Sequence, residues 1–252
     1  MHFQSFFPEE LYIMKKFSNL KIKIKHMIKT MLGKRDLSPD YLRSIGCKIG
    51  NGGSIHGSSI TIDVTRPWLI DIGNDVHITR GVSILTHGYD LSVIRNAYHY
   101  TVGSSGKVKI GNNVFIGIES TILKGVTIGN NVIIGAGSLV NKDIPDNCVA
   151  AGVPAKVIMP LDEYFEKRKN EQLAEAVLLA KDYYNTYKKV PDISVLSAYY
   201  FLFAERSREY LDKHNLNYTI HVRDPQKLLD NFCKTEPMFN GYEEFIKYCN
   251  LK

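Results

Sequence analysis

The chain has 252 residues, a net charge of +6, and 44% hydrophobic and 23% charged residues, proportions that exclude a disordered polymer and fit a soluble globular protein. No apolar run is long enough to cross a bilayer, and the opening MHFQSFFPEE lacks the basic-then-apolar order of a secretory signal, so a cytoplasmic protein is expected. Lys and Arg are not interleaved with aromatics as in nucleic-acid-binding modules, which excludes nucleic acid and leaves an anionic small ligand or a membrane surface to explain the charge.

In residues 11–35, Leu11, Met14, Phe17, Ile24, Met27, Ile28 and Met31 fall near helical spacing among lysines. A basic amphipathic helix is expected there, either covering the end of the following structure and packing in an oligomer or touching the inner face of a membrane. The alternating KIKIK also permits a strand. Residues 1–44 form this first, partly helical segment.

A six-residue period then takes over. Ile72, Ile78 and Ile84 mark it first, and Ile110, Ile116, Ile122, Ile128, Ile134 and Val140 resume it. Four residues after each comes a second small or β-branched residue: Val76, Val82, Val114, Ser120, Val126, Val132, Ser138 and Ile144. This period is neither that of an α-helix nor that of an alternating strand. Gly and Asn between the aliphatics, as in IGNN at 110–113 and 128–131, suit tight corners. The expected structure over 45–159 is mainly β, a solenoid of short parallel strands in which each aliphatic stacks on its equivalent one coil away.

Ile84 and Ile110 are not separated by a multiple of six, so an insertion interrupts the coils at about 88–107, first aromatic and then rich in Gly and Ser. It is expected to protrude, and a long loop on a rigid scaffold is a place where function concentrates. After Pro160 the composition turns helical. Helices are expected over 162–189 and 194–213 and near 225–234 and 241–249, making 160–252 a mainly helical appendage. The four cysteines have no metal-ligand spacing, so reduced thiols and no metal are expected.

The stretches RPWLIDIGND (66–75), SILTHGYD (83–90) and the block from IGNNVFIGIES through NKDIPDNCVAAGVPAKVI (110–158) resemble the hexapeptide-repeat acyltransferases, in particular the sugar O-acetyltransferases of polysaccharide clusters and the maltose and galactoside acetyltransferases. The resemblance spans about Ile45 to Ile158. It implies a left-handed parallel β-helix, acetyl-CoA as co-substrate without a metal, a glycan or sugar acceptor, and a homotrimer with active sites between chains.

Acyl transfer to a hydroxyl needs a base, because an alcohol is a poor nucleophile at neutral pH, and histidine suits that task. The resemblance assigns it to His87 in LTHGYD; the competing reading is a residue that only caps a corner. His99, inside the insertion, is the second choice, able to reach a neighbouring site and contact substrate. His77 and His56 read as ordinary residues of the solenoid. Where relatives often read THD this chain reads THG, which leaves the orienting group open, with Asp90 as the expected one and Glu119 or a backbone carbonyl as alternatives. The resemblance places Gly117 and Ile118 at the pantetheine end of the cofactor, with a backbone N–H there as oxyanion donor, and Gly135 and Ala136 along the pantetheine arm. Asn141, Lys142 and Lys156 fall where the phosphate-rich head is met, a lysine at 156 standing for a more usual arginine. The competing readings are a corner glycine and solvated lysines. Asp63, Arg66 and Trp68, just before the His87 coil, are the expected acceptor contacts, although a tryptophan is as readily a core or interface residue. An O-acetyltransferase on a polysaccharide hydroxyl is the leading expectation; an N-acetyltransferase on an amino sugar and a non-catalytic scaffold are the alternatives.

Overall fold

In the six-residue repeat each short strand turns one aliphatic inward and hands the chain to a corner, so three strands complete one circuit and equivalent side chains recur eighteen residues apart, as Asn112 and Asn130 do. The computed structural model describes residues 20–22, 24, 27, 37–57, 59–88, 90–216 and 222–251. The helix expected over 11–35 lies largely outside the described residues; those described within it are helical.

Fourteen strands follow: β1 (Lys48–Ile49), β2 (Ser54–Ile55), β3 (Thr61–Ile62), β4 (Ile70–Ile72), β5 (Val76–Ile78), β6 (Ser83–Ile84), β7 (Val108–Ile110), β8 (Val114–Ile116), β9 (Thr121–Ile122), β10 (Thr127–Ile128), β11 (Val132–Ile134), β12 (Leu139–Val140), β13 (Cys148–Gly152) and β14 (Ala155–Pro160). They lie in three sheets, ordered β1-β4-β7-β10, β14-β13-β11-β8-β5-β2 and β12-β9-β6-β3. Pairing every third strand in parallel register, as in Ile72↔Ile110↔Ile128, is the signature of a coil. Among the described residues only β13 and β14 pair antiparallel, ending the solenoid in a hairpin.

Both aliphatic columns point inward. Ile84, Ile116, Ile122, Ile134 and Val140 are fully buried, as is Ser120 in the second column, and Val114, Val126 and Val132 are nearly so. Burying such an aliphatic contributes about 1.5–3 kcal/mol relative to exposure, so the repeat itself supplies the core. Its first coil is covered by α1 (Pro39–Ser44), capped by Ser38, whose hydroxyl accepts from the Tyr41 N–H; α1 places Leu42 in the same core. One row of corners is held by side chains. Asn112 Oδ1 accepts from Asn74 N at 2.8 Å, Asn130 Oδ1 from Asn112 N at 2.9 Å, and Asp146 Oδ1 from Asn130 N at 2.6 Å. The next residues, Asn113 and Asn131, take a left-handed backbone at φ 55°, which asparagine tolerates better than most.

Between β6 and β7 the chain leaves the repeat and forms α2 (Leu91–Tyr98), none of whose residues is buried. It returns where it left: Gly106 N donates to Thr86 O at 2.9 Å.

Two compact units divide the chain, Met1–Leu161 and Asp162–Lys252. The second contains α3 (Leu161–Tyr187) apart from its first residue, a 3-10 helix over Ile193–Leu202, α4 (Arg208–Lys213), α5 (Pro225–Cys233) and α6 (Tyr242–Tyr248). The single helix expected over 194–213 does not form. Leu196 and Tyr199 depart from helical dihedrals, and Phe203 and Ala204 are fully buried. A new helix starts at Ser207, whose hydroxyl accepts from Tyr210 N at 3.2 Å. The run YYFLFA is apolar on every side, so burial rather than helical periodicity decides its path. All four cysteines are free thiols, and among the described residues no helix is long and apolar enough to cross a membrane.

Candidate active site

His87 lies just past β6, at the corner from which the insertion departs. Its Nδ1 is 2.5 Å from Asp63 Oδ2. Asp63 follows β3, and β3 pairs with β6 in parallel, so the two side chains project from neighbouring coils at one corner. Asp63 is 9% exposed. Thr65 donates to its Oδ1 from Oγ1 at 2.6 Å and from N at 3.1 Å, while the Thr86 hydroxyl and Thr86 N, the latter at 3.3 Å, donate to Oδ2.

Burial alone would raise the Asp63 carboxyl, but the Thr65 and Thr86 hydroxyls, the Thr65 backbone and His87 outweigh it and hold the group well below the usual carboxylate range. An ionised carboxylate only accepts hydrogen bonds, so Nδ1 of His87 carries a proton, and in the neutral ring Nε2 then has the lone pair. The site thus holds an imidazole in one tautomer and one orientation, the arrangement that general-base chemistry requires.

This geometry corrects two expectations. The carboxylate on His87 is Asp63, not Asp90, which instead stands at the start of α2. With both oxygens engaged by Thr65, Thr86 and His87, Asp63 serves the histidine and is not an acceptor contact. Arg66, expected as an acceptor contact, donates from one of its nitrogens, Nη1, to Ser104 O at 3.0 Å, tying the returning insertion to the preceding coil. Trp68, on a 3-10 turn (Pro67–Leu69), is 65% exposed and lies outside the core of the chain. His99 caps the C-terminal end of α2 in a left-handed conformation and is exposed. His77 points outward from β5, 2.8 Å from the Ser54 hydroxyl.

The other site residues fall into two groups. Asn141 and Lys142 follow β12 in the sheet that contains β6 and so share the corner of His87, further along the coil axis. Gly117 and Ile118 follow β8, and Gly135 and Ala136 follow β11, at the next corner. There Gly117 N donates to Ile134 O and Gly135 N to Ala150 O, both at 2.8 Å. The Gly117 N–H is therefore spent on the coil and is no oxyanion donor. A Cβ at Gly117 would lie 2.6 Å from Ala136 N, so coil spacing demands the glycine. Gly135 O accepts from the hydroxyls of Ser120 and Ser138, at 3.0 and 2.6 Å, which braces this corner from inside. Outside, Ile118, 44% exposed, and Ala136 form an apolar ledge with little side chain above the backbone. Lys156, exposed on β14, pairs with Ala151 at the coil's end. Among the described residues neither Lys142 nor Lys156 forms an ion pair.

Within one chain the structure brings together His87, Asp63, Thr65 and Thr86, and leaves the Gly117–Ala136 ledge at another corner. The two threonines and the role of Asp63 were missed from sequence. Asp63 and His87 are 24 residues apart, whereas regular coils repeat at eighteen, so the repeat did not align them.

The family described as bacterial transferase hexapeptide (six repeats) matches residues 107–142. Protein CapG of Staphylococcus aureus is 47% identical over 136 residues, covering 54% of this chain and 78% of the relative. The galactoside O-acetyltransferase of Escherichia coli (strain K12) is 35% identical over 158 residues, 59% of this chain and 74% of that protein. A solved maltose O-acetyltransferase from Clostridium difficile 630 shares 31% identity with a TM-score of 0.38, over 57% of this chain and 88% of that one. With the galactoside O-acetyltransferase 35% identical and matched over 74% of its own length, the chain belongs to the hexapeptide-repeat transferase family and is an acyltransferase.

Proposed function

We propose that the protein transfers the acetyl group of acetyl-CoA to a hydroxyl of a sugar in a surface polysaccharide or its precursor, working in the cytoplasm as a homotrimer of left-handed β-helices. The observation that carries this reading is the Asp63-held imidazole of His87 at the root of the insertion. In this reading Nε2 takes the acceptor's hydroxyl proton as the oxygen attacks the thioester carbon. The carbon–sulfur bond then breaks, and the imidazolium, stabilised by the Asp63 carboxylate, returns the proton to the leaving thiolate. The products are an acetyl ester and free coenzyme A.

Ile118, Ala136 and the glycines beside them would support the pantetheine arm, and Asn141, Lys142 and Lys156 the phosphates. Because the ledge and His87 stand at different corners, each site is proposed to combine the His87 corner of one chain with the ledge of another. Trp68 and His99, both exposed, are the proposed acceptor contacts.

The test is incubation with acetyl-CoA and a panel of neutral and amino sugars, with product mass and alkali lability read by mass spectrometry. An acetyl group removed by mild alkali is an ester and supports the proposal. An alkali-stable acetyl on an amino sugar would make the protein an N-acetyltransferase, and no acetyl transfer from acetyl-CoA would remove the proposal altogether.

A further inference from the structure

The second unit contains an open cleft of about 590 Å³, within the range of roughly 300–1,000 Å³ common for small-ligand sites. It is formed by the chain before the 3-10 helix, the end of α4 and the start of α6. Tyr210 on α4 and His214 at its C-terminal cap have ring centroids 4.4 Å apart, tilted by 38°, and both line the cleft. Across the cleft stand Asp192, Asn240, Tyr242 and Glu243. The Tyr242 hydroxyl donates to Pro191 O at 2.7 Å, fixing α6 to the segment that carries Asp192. Asp192 Oδ1 accepts from Ser194 N at 3.0 Å, and the Ser194 backbone and hydroxyl hold its carboxyl below the usual range. Among the described residues, the Glu243 carboxylate and the Asn240 side-chain amide form no hydrogen bond within the protein.

We infer that this cleft binds a neutral hexose unit of a glycan. A pyranose has an apolar C–H face that packs on aromatic rings and several hydroxyls that donate to carboxylate and amide oxygens. The Tyr210–His214 pair answers the first, and Asp192, Glu243 and Asn240 answer the second. Two carboxylates disfavour a uronic acid or a phosphosugar, since an anion there would be repelled by both. The inference does not rest on acetyl transfer: it concerns a surface that holds the glycan rather than one that modifies it.

Binding is measured on the full chain by saturation-transfer NMR and calorimetry with maltotriose, lactose and tri-N-acetylchitotriose, with digalacturonate and spermidine as controls. At least one neutral oligosaccharide should bind saturably and more tightly than either control. Asp192→Asn and Glu243→Gln should each weaken it about tenfold, the scale of one charge-assisted hydrogen bond. Asn is as good a helix cap as Asp, so the first variant keeps the fold. His87→Ala should bind the same sugar unchanged, which separates this cleft from the acetyl-transfer site. The inference is overturned if none of the three sugars binds, if both cleft variants bind like wild type, if His87→Ala abolishes binding, or if digalacturonate or spermidine binds more tightly.

Discussion

Replacing Asp63 by Asn keeps the size of the side chain and removes its charge. Four donors surround the carboxylate besides His87: the hydroxyl and N–H of Thr65 and of Thr86. An amide offers one acceptor oxygen and an NH2 that has only donors around it. If the NH2 faces Nδ1 of His87, the imidazole takes the other tautomer, with its proton on Nε2, and no longer accepts one from a hydroxyl. Loss of the orienting carboxylate and of general-base function should lower kcat by about two to four orders of magnitude. Losing charge-assisted hydrogen bonds at a buried group should also cost about 2–3 kcal/mol of stability. Folding lowers the Asp63 pKa, so its contribution to stability is complete above the ordinary aspartate value of about 3.9 and fades as pH falls through the lower folded-state value. The variant should therefore show a flatter dependence of urea midpoint on pH in the acid range. The assay is release of coenzyme A thiol with acceptor present, beside circular dichroism and urea unfolding at several pH values, with Asp90→Asn as control. A folded Asp63→Asn enzyme within about threefold of wild type, or an Asp90→Asn enzyme that fails equally, would refute the reasoning.

His87→Ala should lower turnover by about two to four orders of magnitude while acetyl-CoA binding, read by calorimetry, is retained. Lys142→Ala and Lys156→Ala should raise the KM for acetyl-CoA more than that for its 3′-dephospho form; equal changes would return these lysines to the solvated surface. Gly117→Ala forces a Cβ to 2.6 Å from Ala136 N, where backbone has little room to give, and should destabilise the coil by about 1–3 kcal/mol in thermal unfolding.

Parts of the molecule that repeat were readable from sequence because one physical demand recurs at a fixed interval. Ile116, Ile122 and Ile134 are fully buried for the same reason that they are six residues apart or a multiple of it. What breaks the repeat was not readable. The 3-10 turn at Pro67–Leu69 lengthens its coil and moves Asp63 out of step with His87, so the carboxylate nearest in sequence, Asp90, looked closer than the one nearest in space. Gly117 carried a signal for small size but none for where its N–H points; that depends on the next coil, whose Ile134 O accepts it. In the second unit the apolar run at 198–204 has no face to choose, and its burial is set by α3, α5 and α6 packing around it.

The claim that one active site joins the His87 corner of one chain to the ledge of another is tested most directly by complementation. His87→Ala lacks the base, and Ala136→Trp obstructs the ledge; each alone should be inactive yet assembled by light scattering. Co-expressed in equal amounts, they should assemble at random and recover about a quarter of wild-type activity, because that fraction of interfaces pairs an intact corner with an intact ledge. Mixed oligomers with no more activity than the separate variants would contradict the shared site and place the whole reaction within a single chain.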